Sequence, residues 1–228
     1  MASAAEQLAA HINLGAFGKA TELKKRIWFT LAVLLVYRVG SYIPVPGIDP
    51  QILADIFRQQ QSGLLGMVDM FAGGALGRMT IFALNMMPYI SSSIIIQLMT
   101  SVVPRLESLK KEGETGRRKI NQYTRYVTVI LAAFQAYGIA VGLEGLSSTG
   151  GAVVHDPGLM FRASTVITLV AGTLFLMWLG EQVTARGVGN GISLIIFAGI
   201  VAGLPSALAN MLELGRQGAI STFLILVV

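Results

Sequence analysis

MTIFALNMMPYISSSIIIQLMTSVVP, residues 79–104, contains no charged residue and runs directly into RLESLKKEGETGRRKINQYTRY, residues 105–126, which is dense in cations. At 1.5 Å rise per residue the uncharged part is long enough, as a helix, to cross a hydrocarbon core of about 30 Å. By that measure it is a membrane span. It also carries Asn85, Ser91, Ser92, Ser93, Gln97, Thr100 and Ser101, a polar load that a lipid-facing helix has no reason to bear. Some of this surface must meet protein or water.

The rest of the chain agrees. Of its 228 residues 54% are hydrophobic and 13% charged, with mean hydropathy +0.66, whereas soluble domains carry about 25% charged residues. A water-soluble fold is excluded on that balance. Cysteine is absent, so there is no disulfide framework, thiolate metal site or cysteine nucleophile. The net charge of +5 does not indicate nucleic acid, because seven of the seventeen Lys and Arg fall between Arg105 and Arg125. No cleavable signal is expected before Lys24, Lys25 and Arg26, since the preceding polar stretch is too long for one.

Five full spans are expected, at Ile27 to Tyr42, Met79 to Val103, Tyr126 to Leu143, Leu159 to Gly180 and Gly191 to Leu212. A sixth begins at Ala219 and the chain stops at Val228, short of the roughly 20 apolar residues a span needs. Residues 1–228 thus read as one transmembrane helical domain, the front part of a longer protein. Lys19, Lys24, Lys25 and Arg26 precede the first span and the 104–125 cluster follows the second, so the positive-inside rule places both in the cytoplasm, with the N-terminus. Segments 43–78 and 144–161 lie outside. This parity forbids SGLLGMVDMFAGG, residues 62–74, from crossing, since crossing would put one basic cluster on the wrong side. It is either a re-entrant half helix, tolerated at depth only against protein or an aqueous cavity, or a short amphipathic helix on the outer face.

Catalytic chemistry is poorly supported. Neither His11 nor His155 has metal-ligand spacing, and no HExxH, GxSxG or phosphate-loop motif occurs. GVGNG at 187–191 follows a membrane span rather than a strand, so it reads as a cap between spans. Spans two, three and five hold no Asp, Glu or His, which argues against a proton-coupled transporter. A path lined by neutral polar and aliphatic side chains remains.

VYRVGSYIPVPGID, MFAGGALGRMTIFAL, MPYISSSIIIQL, KKEGETGRRKINQYTRY and GTLFLMWLGEQVTARGVGNGISLIIFAGIVAGLP resemble the SecY family, the channel subunits of the bacterial Sec translocon, nearly from end to end. The resemblance implies an all-α polytopic fold, the five-helix N-terminal half of a ten-helix channel. It favours the re-entrant reading of 62–74 as the plug, with Leu64, Leu65, Met67, Val68, Met70, Phe71, Gly73 and Gly74. It also implies a pore ring at Met86, Ile90, Ile192 and Ile196, each pair spaced to share a helix face. Met86 departs from the isoleucine usual in the family, and its flexible thioether seals less rigidly.

On the same resemblance Asn85, Ser91, Ser92, Ser93 and Gln97 serve the pore wall and lateral gate. From their residues alone they equally suit hydrogen bonds to neighbouring helices. Lys110, Lys111, Arg117, Arg118 and Lys119 of the basic loop, and Arg186 of the 181–190 loop, are candidate docking residues for a cytosolic partner, or only topology signals. The implied function is movement of unfolded secretory polypeptides bearing signal sequences across the bacterial cytoplasmic membrane, and release of membrane segments sideways into lipid. The implied partners are SecE, SecG, the SecA motor ATPase, and the ribosome with its nascent chain. No cofactor, metal or enzymatic activity is implied. Two other classes stay open from the residues: half of an inverted-repeat secondary transporter, and an accessory membrane subunit with no pore.

Overall fold

The computed structural model describes residues 21–59, 74–148 and 151–216. Seven helices lie among them: α1 (Thr21–Gly40), α2 (Pro50–Gln59), α3 (Met87–Val102), α4 (Pro104–Lys111), α5 (Glu114–Glu144), α6 (Leu159–Arg186) and α7 (Gly191–Arg216). The all-α expectation holds apart from a hairpin of two-residue strands, β1 (Ser147–Ser148) and β2 (Gly151–Ala152), paired antiparallel. Residues 62–73 of the expected plug and 219–228 of the expected sixth span lie outside the described residues. α5 and α6 are each long and apolar enough to cross a membrane. α1 carries Glu22 and the Lys24 to Arg26 run in its first turns, and α7 is apolar over Gly191–Pro205.

The second expected span is not one helix. Residues 81–86 form turns and the helix starts only at Met87. Met79 and Asn85 have φ of 45° and 48°, a left-handed conformation that interrupts any right-handed helix and is costly for methionine. Pro88 therefore stands in the first turn of α3, where its missing N–H costs nothing, and does not kink a continuous span. At the other end Val103 is extended (φ −97°, ψ 114°), as a residue before proline prefers. α4 then leaves at 98° to α3.

The basic stretch 104–125 is helical rather than a loop. Only Glu112 and Gly113 separate α4 from α5, and Gly113 takes φ 74°. Glu107 pairs with Lys111 at 2.7 Å and Glu114 with Arg118 at 3.9 Å, the i, i+4 spacing that supports surface helices. Likewise α6 runs to Arg186, so the expected 181–190 loop shrinks to residues 187–190. Asn190 Oδ1 accepts the N–H groups of Ile192 (3.1 Å) and Ser193 (3.4 Å), capping α7. Thr30 Oγ1 accepts the Val188 N–H at 3.2 Å and so ties this turn to α1.

α6 is the hub, packed against α1, α5 and α7, while α3 packs on α5. α5 buries Thr124, Thr128, Ala132, Ala136 and Ala140, every fourth residue, and α3 buries Pro88, Ser92, Ile96 and Thr100 at the same interval. Stripes of small residues let helix backbones approach closely where no hydrophobic driving force exists between apolar surfaces. Two ion pairs join α5 to α6 at well-separated points: Arg125 to Glu181 at 2.7 Å, and Arg162 to Glu144 at 2.6 Å. Glu144 Oε1 also accepts the Gly158 N–H at 3.0 Å.

Residues 43–48 pass between two partners, bridging Pro44 to Thr80 and, after a turn at Pro46 and Gly47 (φ 85°), Ile48 to Val154. Asp49 Oδ1 accepts the N–H groups of Gln51 and Ile52, capping α2 with Pro50 at its first position. α2 then lays Leu53 over a core shared with Val45, Val153, Phe161 and Leu169.

Ser108 on α4 and Ser147 on β1 lie beyond opposite ends of α5, whose 31 residues rise about 46 Å. With no native cysteine, Ser108→Cys and Ser147→Cys in the full-length protein are expected to react with impermeant maleimide from opposite faces of the membrane, Ser147→Cys from outside. Labelling of both from one face would overturn this orientation.

Candidate functional site

The broken second segment makes one wall of a cavity of about 830 Å³. Because residues 79–86 turn rather than coil, Met79, Ala83, Leu84, Asn85, Met86 and Met87 all reach it, followed by Ile90 one turn into α3. Gln135, Gly138, Ile139, Gly142 and Leu143 of α5 form the facing wall, and Ile56 and Phe57 of α2 with Leu76 and Leu146 contribute further lining. Ile196 of α7 completes it. Among these residues Asn85 and Gln135 alone have polar side chains, so the space offers almost no hydrogen bonds to an occupant.

Three of the four expected ring residues, Met86, Ile90 and Ile196, border this cavity. Ile192 does not. It lies against Gly180 of α6, where a Cβ would come within 3.0 Å of Ile192 Cγ1, and it packs against the cluster of Val33, Tyr37, Phe82, Leu176 and Ile195. Ile192 and Ile196 are both half-buried and both pack against that cluster, with α7 lying close to α6 at Gly180 and Gly191. Met86 belongs to both places, since it is 1% exposed within the same cluster and also touches the cavity.

The polar residues of the expected gate divide. Asn85 is buried, with its side chain beside the Tyr37 hydroxyl of α1. Ser92 is fully buried, and its hydroxyl donates to the Pro88 carbonyl at 2.6 Å. Thr100 and Ser101 do the same to Gln97 and Leu98. These hydroxyls are satisfied by carbonyls of their own helix. Gln97 donates to Ser93 at 3.4 Å on the exposed side of α3, and Ser91 is half-buried. That exposed side also carries Ile94, Ile95, Leu98 and Val102.

Of the expected plug only Gly74 is described, with φ 78° and its Cβ position 3.3 Å from the Arg78 guanidinium. The docking candidates Lys110, Lys111, Arg117, Arg118, Lys119 and Arg186 are all exposed. No group of three or more metal-ligating side chains occurs among the described residues.

Sequence reasoning missed the α5 wall and the α2 contribution. Gln135, a lone amide deep in an otherwise apolar span, was the available signal, and Gly138, Ile139 and Gly142 follow it at helical spacing. Nothing in the composition of 50–59 marks Ile56 and Phe57 as cavity lining.

Comparison with known proteins now bears on this arrangement. A SecY family model matches residues 80–228. The protein translocase subunit SecY of Rickettsia felis is 58% identical over 207 residues, covering 91% of this chain and 48% of its own. That of Escherichia coli K12 is 56% identical over 211 residues, covering 92% and 47%. The chain therefore spans about half the length of the curated relatives it matches. Among solved structures, one described as a protein conducting channel superposes with TM-score 0.62 at 19% identity, covering 86% of this chain and 42% of that one. Sec61 in the canine ribosome-channel complex from the endoplasmic reticulum gives the same figures. The backbone path is kept where identity has fallen below a fifth, while nearer relatives keep more than half of the residues along nine-tenths of the sequence; the chain belongs to the SecY family.

Proposed function

We propose that this chain forms one half of the wall of a protein-conducting channel in the bacterial cytoplasmic membrane, with its N-terminus in the cytoplasm. The observation that carries the reading is the chemistry of the cavity. Its side chains are apolar except for Asn85 and Gln135, so it binds no particular functional group and exerts little grip on a polypeptide of arbitrary sequence, yet it holds back ions that would have to shed water. The relatives' name, protein translocase subunit, supports the same reading.

In this account Met86, Ile90 and Ile196 narrow the path for unfolded secretory chains. The exposed side of α3, where Gln97 and Ser93 stand among Ile94 and Leu98, borders the route by which signal sequences and membrane segments leave sideways. SecE and SecG assemble around the chain. The exposed cations of α4 and the start of α5, with Arg186, face SecA or the ribosome, which supply the energy.

A photoreactive phenylalanine analogue at Ile90 or Ile196 of the full-length protein is expected to cross-link to a stalled secretory polypeptide. The same probe at Phe134, 76% exposed on α5, is expected to give none. Failure at both Ile90 and Ile196, with accumulation of the variants unimpaired, would overturn the path.

A further inference from the structure

We infer that the end of α1 away from the basic segments forms a binding site for an anionic phospholipid, with the headgroup held by Arg38, Tyr42 and Arg78 and an acyl chain in the groove beside them. Three observations converge. Arg38 Nη2 donates to the Tyr42 hydroxyl at 2.8 Å. The guanidinium carbons of Arg38 and Arg78 stand 4.9 and 4.6 Å from the centre of the Tyr42 ring, so one exposed phenol gathers two cations. Among the described residues neither arginine meets a carboxylate. Two like charges gathered on one ring leave donors for an acceptor that the described chain does not supply.

The groove supplies the other half of the argument. It has a volume of about 310 Å³ and is bordered by Val36, Val39, Ile43, Ile81, Phe82 and Phe175. Ile43 adjoins Tyr42 in sequence, and its carbonyl accepts the Ile81 N–H at 3.0 Å, three residues from Arg78. The cationic cluster therefore stands at the Ile43 end. Gly40 forms the floor, since a Cβ there would overlap the Phe82 ring. Leu31, Leu35, Val36 and Val39 leave the outer flank of α1 apolar and exposed.

A phosphate diester suits two guanidinium forks, which present planar pairs of N–H groups to its oxygens. A zwitterionic headgroup would set its ammonium beside two existing cations.

The test uses the full-length protein purified in its membrane complex. Native mass spectrometry with phosphatidylglycerol and phosphatidylethanolamine is expected to show preferential retention of phosphatidylglycerol. Arg38→Gln with Arg78→Gln should weaken that retention roughly tenfold or more, because each cation near a membrane surface contributes on the order of one factor of several in affinity. Phosphatidylethanolamine retention should not change. Arg38→Lys with Arg78→Lys should keep most of the preference, and Val39→Trp should reduce phosphatidylglycerol binding by filling the groove while leaving the cluster intact. Equal retention of the two lipids by the unmodified protein would overturn the proposal, as would undiminished phosphatidylglycerol binding in the glutamine and tryptophan variants. So would a photoreactive probe at Val39 that cross-links to protein and not to lipid, which would assign the groove to a partner helix.

Discussion

Gly172→Ala is expected to lower the thermal midpoint of the full-length protein by several degrees and to reduce its accumulation in the membrane. A methyl group at Gly172 would overlap the carbonyl oxygen of Ile81, with the carbonyl carbon at 3.0 Å and Phe82 Cδ1 at 3.4 Å. Two of those three neighbours are backbone and cannot rotate away. Nor can the segment retreat, since the Ile81 N–H is bonded to Ile43 and the Phe82 ring is stacked with Tyr37 and with Phe175, each at 6.1 Å. Overfilling so constrained a contact typically costs about 1–3 kcal/mol, occasionally more. Gly138→Ala in α5, where nothing lies within 4 Å of the added carbon, should be neutral or slightly stabilising, because alanine favours a helix by about 1 kcal/mol over glycine. If Gly172→Ala melts with the unmodified protein, α6 does not approach the broken segment as closely as described.

Ile90→Asn together with Ile196→Asn, in the full-length protein and its complex, is expected to raise resting ion conductance by about an order of magnitude while transport persists. That rise corresponds to about 1.4 kcal/mol off the barrier to entry. The aliphatic wall resists ions because it offers no ligands in place of water, and two amides would offer them. Paired Ile→Leu changes should leave conductance unaltered. Ile192→Asn alone should not leak, because Ile192 is turned against Gly180. It should instead destabilise, by bringing an amide among Val33, Leu176 and Ile195. Planar bilayer recordings separate these outcomes: a leak from Ile192→Asn equal to that of the Ile90 and Ile196 pair would place Ile192 in the constriction, as the family resemblance implies.

What could be read from the residues was governed by distance along the chain. The span ending at Val103 was legible because a proline follows it and restricts its backbone. The Arg105 to Arg125 cations correctly marked one boundary of the apolar chain, but charge counts say nothing of helicity. The helix there comes from good helix formers and from Glu–Lys and Glu–Arg pairs four apart. The break at 79–86 was hidden because methionine and asparagine carry no signal for positive φ of the strength glycine does. The side chain beside Asn85 is that of Tyr37, nearly fifty residues earlier. The cavity borders Ile196 and not Ile192 for a similar reason hidden from the sequence, since helical spacing gives a shared face but not the neighbour that covers each residue.

The paired ion contacts between α5 and α6 carry a mechanical consequence. Two antiparallel rods pinned at one point can slide or scissor, but Arg125–Glu181 and Glu144–Arg162 pin these at two, with small side chains meshed between. Sliding would break both contacts at once, so motion of the doublet as one lever is favoured over sliding of one helix past the other. Its pivots are the places where backbone continuity is weakest: the extended Val103, Gly113, and the short turn from Gly187 to Asn190 that Thr30 tethers to α1. A displacement at the Arg125–Glu181 contact would thus reach the far end of α5 at Glu144, about 28 Å away, as leverage without bending.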